Sequence, residues 1–248
     1  MRILCMHKAP ANETVGQALP KELIEGMGRL IGEAAKSGIL LGGDGLKPGS
    51  TRYRLAFANG RCEVTRGTRG GHEEQLPQRM VVFKVAAEAD AIEWARRFGE
   101  AVGAERLELG PLTEAWDLGI GTRPANAPYR FMILQPATRD SEAGKPLTAA
   151  QQQGLRTVLA AMREAGVLLL HEALLPSSKA VRVHYRDNVR TRIDGPFTES
   201  KELIGGFCML QMRSFDEMVV WSERFARILG GTVEIDLRVA ADGDGGGA

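Results

Sequence analysis

The amino-acid sequence predicts an α+β fold made of two like halves. Three observations carry that expectation: one register lays the first half over the second, each half repeats the same order of apolar segments, and helical and strand periodicities alternate within both. In that register Gly38-Ile-Leu-Leu-Gly-Gly-Asp-Gly-Leu-Lys-Pro-Gly-Ser50 falls on Gly166-Val-Leu-Leu-Leu-His-Glu-Ala-Leu-Leu-Pro-Ser-Ser178. It also sets Arg2 against Arg130, Arg54 against Arg182, Phe57 against Tyr185 and Gly67 against Gly195. After a one-residue slip, Trp94, Arg97 and Phe98 meet Trp221, Arg224 and Phe225.

Each half opens on an apolar strand, Ile3 to Met6 and Phe131 to Leu134. A helix follows, with Leu23, Ile24, Met27, Leu30, Ile31 and Ala34 at spacings of three and four, matched by Leu155, Val158, Leu159 and Met162. Thr148 with Gln151 three residues on reads as a capping box for the second of these helices. Next come a short buried strand, a hairpin (Arg52 to Thr65; Val181 to Ile193) and a longer strand (Met80 to Val85; Phe207 to Met212). Asn59-Gly60 and Asp187-Asn188 suit the positive φ of tight hairpin turns. The second helix carries Ile92, Ala95, Phe98 and Val102 against Met218, Val219, Phe225 and Leu229, with Ser214 and Glu217 as another capping box. A last strand, Arg106 to Leu109 and Thr232 to Leu237, closes each half.

This order is the βαββαβ plan of a ferredoxin-like repeat with an inserted hairpin. Helices cover such a sheet on one face, so the other must be buried against something, and a second copy in the same chain can supply the cover. The expected layout is a first repeat at 1–111, a linker at 112–128 whose Trp116 and Ile120 dock, a second repeat at 129–239, and a disordered tail at 240–248.

Composition limits the partners. With 32 basic against 31 acidic side chains there is no bulk field to draw nucleic acid or an anionic membrane, and no stretch approaches the roughly 20 apolar residues of a membrane span. Cys5, Cys62 and Cys208 are odd in number and widely spaced, which suggests reduced thiols and a cytoplasmic protein. No His or Cys spacing points to a metal, and Gly42-Gly43-Asp44-Gly45 lacks the spacing of a phosphate-cradling loop, so no cofactor is expected.

The run Asp194-Gly-Pro-Phe197, followed by Thr-Glu-Ser-Lys-Glu-Leu-Ile-Gly-Gly206 and preceded by Leu174-Leu-Pro-Ser-Ser178, resembles the DGPF signature of the YCII-related proteins. The resemblance covers 129–239. The first half shares it through the repeat but reads Arg66-Gly-Thr-Arg69 at the signature. It implies a dimeric α/β barrel, here paired within one chain, with a His-Asp pair in the interface cleft as catalytic candidates, and genes beside extracytoplasmic-function sigma factors.

The residues themselves allow two accounts. Asp194 and Gly195 are turn formers and Phe197 can plug a hydrophobic layer; alternatively Asp194 projects a carboxylate into a cleft that Phe197 walls. His171, at the end of an apolar run, is either a packing residue or the base of a cofactor-free lyase or isomerase oriented by Asp194. In that scheme Arg66 or Arg182 holds an anionic substrate, and Asp44, Glu172 and His7 are further site candidates. His72 sits in a polar, Gly-rich loop that reads as surface. His171 and Asp194 match Gly43 and Arg66, so such a pair exists once per chain. The competing account is a noncatalytic binding or regulatory scaffold, free to pair into larger homo-oligomers.

Overall fold

The computed structural model describes residues 1–9, 19–67, 76–186, 189–197 and 203–241. Strands β1 (Arg2–Ala9), β2 (Leu40–Gly45), β3 (Tyr53–Ala58), β4 (Arg61–Arg66), β5 (Pro77–Val85) and β6 (Arg106–Pro111) come from the first half. Helices α1 (Lys21–Lys36) and α2 (Glu88–Val102) lie among them. The second half gives β7 (Tyr129–Pro136), β8 (Leu168–Ala173), β9 (Val181–Arg186), β10 (Val189–Asp194), β11 (Leu203–Gln211) and β12 (Val233–Val239). Its helices are the short α3 (Arg139–Glu142), α4 (Ala149–Glu164) and α5 (Phe215–Leu229). The expected register is visible in the elements: α1, β2, β3 and β4 recur as α4, β8, β9 and β10 with both ends displaced by 128 residues.

Local chemistry sets several of these boundaries. Thr148 Oγ1 accepts from the Gln151 amide at the start of α4, and Ser214 Oγ accepts from the Glu217 amide at the start of α5, so each satisfies an otherwise orphaned helix N–H. Asn59 and Gly60 take φ of 51° and 71°, as the β3–β4 hairpin requires. The second hairpin turn, Asp187-Asn188, lies outside the described residues.

The strands form two antiparallel six-stranded sheets, ordered β10-β9-β12-β1-β11-β2 and β4-β3-β6-β7-β5-β8. Setting the hairpins aside, each has a ferredoxin-like order, but neither is drawn from one half alone. β1 and β2 complete the sheet of β9 to β12, while β7 and β8 complete that of β3 to β6. The expectation of one sheet per half therefore needs correcting. The cause is local: the segment after β6 brings the chain back so that β7 pairs antiparallel with β6, Leu109 opposite Ile133, and consecutive strands tend to be neighbours. In the segment expected as a linker, Leu112 is buried and Trp116 partly buried, but Ile120 is 52% exposed and does not dock. Ala240, expected in the tail, is buried and bridges Leu174; 242–248 lie outside the described residues.

Three cores result. α1 and α5 cover one face of the first sheet through Leu30, Ala34, Met218, Trp221 and Phe225. α2 and α4 cover the second sheet through Ala95, Phe98, Leu155 and Met162. The uncovered faces meet: Leu4, Met6, Phe207 and Met209 pack against Met80, Val82, Met132 and Leu134. Burying each such side chain contributes about 1.5–3 kcal/mol, which is why the sheets face inward. Among the described residues no helix is long and apolar enough to cross a membrane.

Candidate functional site

Polar groups enter the layer between the sheets at its margins. Arg2 on β1 meets Glu172 on β8 at 2.6 Å, and Arg130 on β7 meets Asp44 on β2 at 2.8 Å. Each pair spans the two sheets, and the two pairs occupy matching positions of the halves, as in an isologous interface. Arg130 also holds Glu114, and Arg2 donates to the Ala241 carbonyl. Burial raises the carboxyls of Asp44 and Glu172, against the pull of their arginines. Both expected binding carboxylates are thus committed to ion pairs.

A second network lies on the inner face of the first sheet. The Arg182 guanidinium donates to both Asp236 oxygens, at 2.6 and 2.9 Å, and Lys8 Nζ stands 3.4 Å from the same fully buried carboxylate. Burial alone would raise the Asp236 carboxyl, but Lys8 and Arg182 outweigh it and hold it below its usual range. Arg54 and Glu108 repeat this pair in the other sheet at 2.8 Å. Beside it the fully buried Arg238 donates to the Leu175 carbonyl at 2.7 Å.

The Asp194-Gly-Pro-Phe197 turn closes over this network. Gly195 runs so close to the turn at Ser177 that a Cβ would lie 1.8 Å from the Ser177 carbonyl oxygen, and the Gly195–Pro196 peptide is cis. The Phe197 amide donates to Ser177 Oγ at 3.3 Å, the Ser177 amide and hydroxyl donate to Glu142, and the Arg182 guanidinium lies 4.7 Å from the Phe197 ring centre. Asp194 points away, its side chain 72% exposed and paired with Arg192 at 3.0 Å.

His171 stands elsewhere. It is buried on β8 opposite Val81 of β5, on the face covered by α2 and α4. Asp194 ends β10, the outermost strand of the other sheet. The structure brings His171 and Asp194 neither onto one sheet nor into one cavity. A side chain at Gly43, the counterpart of His171, would meet the Phe207 carbonyl oxygen at 2.9 Å, so the first half has no room for an imidazole there. His7, on the helix-covered face of β1, lies 5.3 Å from the Phe225 ring. Burial lowers its pKa to about 4, aided by Arg52 and Lys8. Arg66 is exposed, with its guanidinium 5.6 Å from the Tyr53 ring. His72 lies outside the described residues. Among the described residues no group of three or more His, Cys, Asp or Glu could hold a metal ion.

A cavity of about 650 Å³ opens where α4, the segment after α3 and the end of β8 meet. Its floor follows from strand register. On the helix-covered face of the second sheet Gln135, Arg79 and Ala173 form one row across β7, β5 and β8, and Ile133, Val81 and His171 form the next. Arg79 Nη1 donates to Gln135 Oε1 at 2.6 Å, and both side chains are buried. Arg79 and Ala173 line the cavity; His171 lies one row deeper and does not. Sequence reasoning missed this cavity. The available signal was Gln152, Arg156, Leu159 and Arg163 of α4, spaced by three and four, a stripe mixing core leucine with cations.

Two halves of matching element order, joined across paired sheets by reciprocal ion pairs, define an α+β protein of ferredoxin-like strand order. The YCII-related domain family model matches residues 129–236. No curated protein and no solved structure matches the chain. The matched segment supplies β7 and β8 to one sheet and β9 to β12 to the other.

Proposed function

We propose that this is a duplicated YCII-type protein, an intrachain counterpart of a dimeric α/β barrel, that binds a small molecule without transforming it. The recurrence of elements at 128 residues and the reciprocal Arg2–Glu172 and Arg130–Asp44 pairs support the duplication. The single observation that carries the binding role is the cavity between α4 and the end of β8. Its volume of about 650 Å³ lies in the range of small-molecule sites, and the buried Arg79 side chain meets an apolar wall there.

The proton-transfer scheme finds less support. A base and its orienting carboxylate must share one cavity within hydrogen-bond reach, whereas Asp194 stands in solvent and His171 lies behind the cavity floor. The space between the sheets is filled by Leu4, Met80, Met132 and Met209. The DGPF turn serves as a clamp over the Arg182–Asp236 pair.

A thermal-shift screen of a small-molecule library tests the binding role, run in parallel on the native chain and on Gln152→Trp, which fills the cavity mouth from an exposed helix position. Hits that raise the native melting temperature and lose their effect in the variant are expected. Hits insensitive to the substitution, or none, would overturn the assignment.

A further inference from the structure

We infer that β10 is the docking edge for a second copy of this chain, the two β10 strands pairing antiparallel about a two-fold axis so that the first sheets of both molecules become continuous. β10 is the outermost strand of its sheet, and all six of its residues are exposed. It runs Val189-Arg-Thr-Arg-Ile-Asp194, with no proline or lysine to blunt the edge. Apolar side chains flank it. Val189 and Val220 of α5 are 64% and 60% exposed, more than any other large apolar side chain among the described residues, and Ile193 is 42% exposed. Asp216, Val220 and Glu223 form one stripe of α5; Arg192 meets Asp216 and Arg190 meets Glu223, which places Val220 above this edge.

Backbone direction decides which residues reach the second copy. The Gly195 amide donates to the carbonyl of Ala180, just before β9, so Gly195 turns its polar groups toward β9, and by alternation so do Ile193, Thr191 and Val189. Arg190, Arg192 and Asp194 therefore present N–H and C=O to the open edge. A two-fold axis admits few registers for them. Centred on Thr191, Arg190 of each copy faces Arg192 of the other, a like-charge pair. Centred on Ile193, Arg190 faces Pro196, which has no N–H to give. Centred on Arg192, Arg190 of each copy faces Asp194 of the other, and Thr191 faces Ile193. The two central arginines are already balanced, since each holds Asp194 at 3.0 Å and Asp216 at 2.8 Å.

The matching edge of the other sheet lacks this code. β4 carries Cys62 and Arg66 where β10 carries Arg190 and Asp194, so the same register would set a thiol against a guanidinium. The exposed Asp194 of the signature turn thus selects the register, while backbone bonds along the edge hold the copies together. The edge belongs to the first sheet and the cavity lies against the second, so the pairing does not depend on the binding role.

Sedimentation velocity and amide hydrogen exchange on the full chain test the pairing. The native chain should sediment as a dimer that dissociates on dilution, with the Arg190, Arg192 and Asp194 amides protected in the concentrated sample and exchanging in the dilute one. Asp194→Arg sets arginine against arginine and should give monomers of native circular dichroism; Arg190→Asp should do the same. The two substitutions together reverse the pair and should restore the dimer. A native chain that stays monomeric overturns the proposal and leaves the edge to some other strand. A dimer whose β10 amides stay unprotected overturns it as well, as does a dimer indifferent to both single substitutions or a double variant that stays monomeric while folded. The exchange measurement needs no variant, so the proposal remains exposed to refutation even where a substitution unfolds the chain.

Discussion

Replacing Gly195 with Ala tests the clamp role of the DGPF turn. The added Cβ would lie 1.8 Å from the Ser177 carbonyl oxygen and 2.7 Å from its carbonyl carbon, both backbone atoms that no side-chain rotation can clear. The two segments must separate by roughly 1.5 Å to reach ordinary contact distance. That displacement strains the Gly195 amide bond to the Ala180 carbonyl, the Phe197 amide bond to Ser177 Oγ and the two Ser177 bonds to Glu142. Overpacking costs about 1–3 kcal/mol and each weakened hydrogen bond about 0.5–1.5 kcal/mol. A loss near 4 kcal/mol is expected after partial relaxation, on the order of the overpacking and two such bonds together. In guanidinium denaturation followed by far-ultraviolet circular dichroism, with a slope of about 3 kcal/mol/M, the midpoint should drop by roughly 1 M. Gly28→Ala is the control: a Cβ there meets nothing within 4 Å on α1, and the change should stabilise by about 0.5–1 kcal/mol. A Gly195→Ala midpoint within about 0.2 M of native would refute the clamp.

Asp236→Asn leaves Arg182 and Lys8 buried against a neutral amide and should cost about 3–5 kcal/mol at neutral pH. Because the Asp236 carboxyl is held below its usual range, its stabilisation is present above its unfolded pKa of about 4 and lost as pH falls through the folded value; the variant should flatten that acid limb in denaturation midpoints. His7 acts at higher pH. Folded it titrates at about 4, against 6.5 ordinarily, so the unfolded chain binds the extra proton between those values and stability falls as pH drops across that window. The decline is on the order of 3 kcal/mol, and His7→Gln should remove it. The raised carboxyls of Asp44 and Glu172 act in the opposite sense above pH 4 or so, which makes the difference between variant and native curves the quantity to compare.

Much of the local structure was legible in the sequence because it is written in neighbouring residues. Thr148 and Gln151, Ser214 and Glu217, and Asn59-Gly60 each form the cap or turn their chemistry prescribes. The matching of Arg2 with Arg130 and of Asp44 with Glu172 carried both ion pairs between the sheets, although not who would meet whom. Strand partnership was hidden, since like halves offer β1 equivalent neighbours in either sheet and only the path after β6 decides. Alternation could not say that Asp194, at the end of an edge strand, would face solvent. The cavity was invisible for another reason: Arg79, Lys145 and Arg163 are far apart in the chain and join only when α4 lies across β5 and β8.

The partition of strands has a bearing on how the molecule is made. One layer, β3 to β8 with α2 and α4, is a continuous stretch from Tyr53 to Ala173; the other joins residues before Thr51 to residues after Val181. Arg2–Ala9 is synthesised before the central layer, yet its partners Leu203–Gln211 and Val233–Val239 are synthesised after it. During synthesis the central layer can assemble while the apolar N-terminal strand waits unpaired, a state in which such segments are prone to aggregate. Closure of the first sheet is thus set by the arrival of β11 and β12, at a synthesis rate of about 5–20 residues per second.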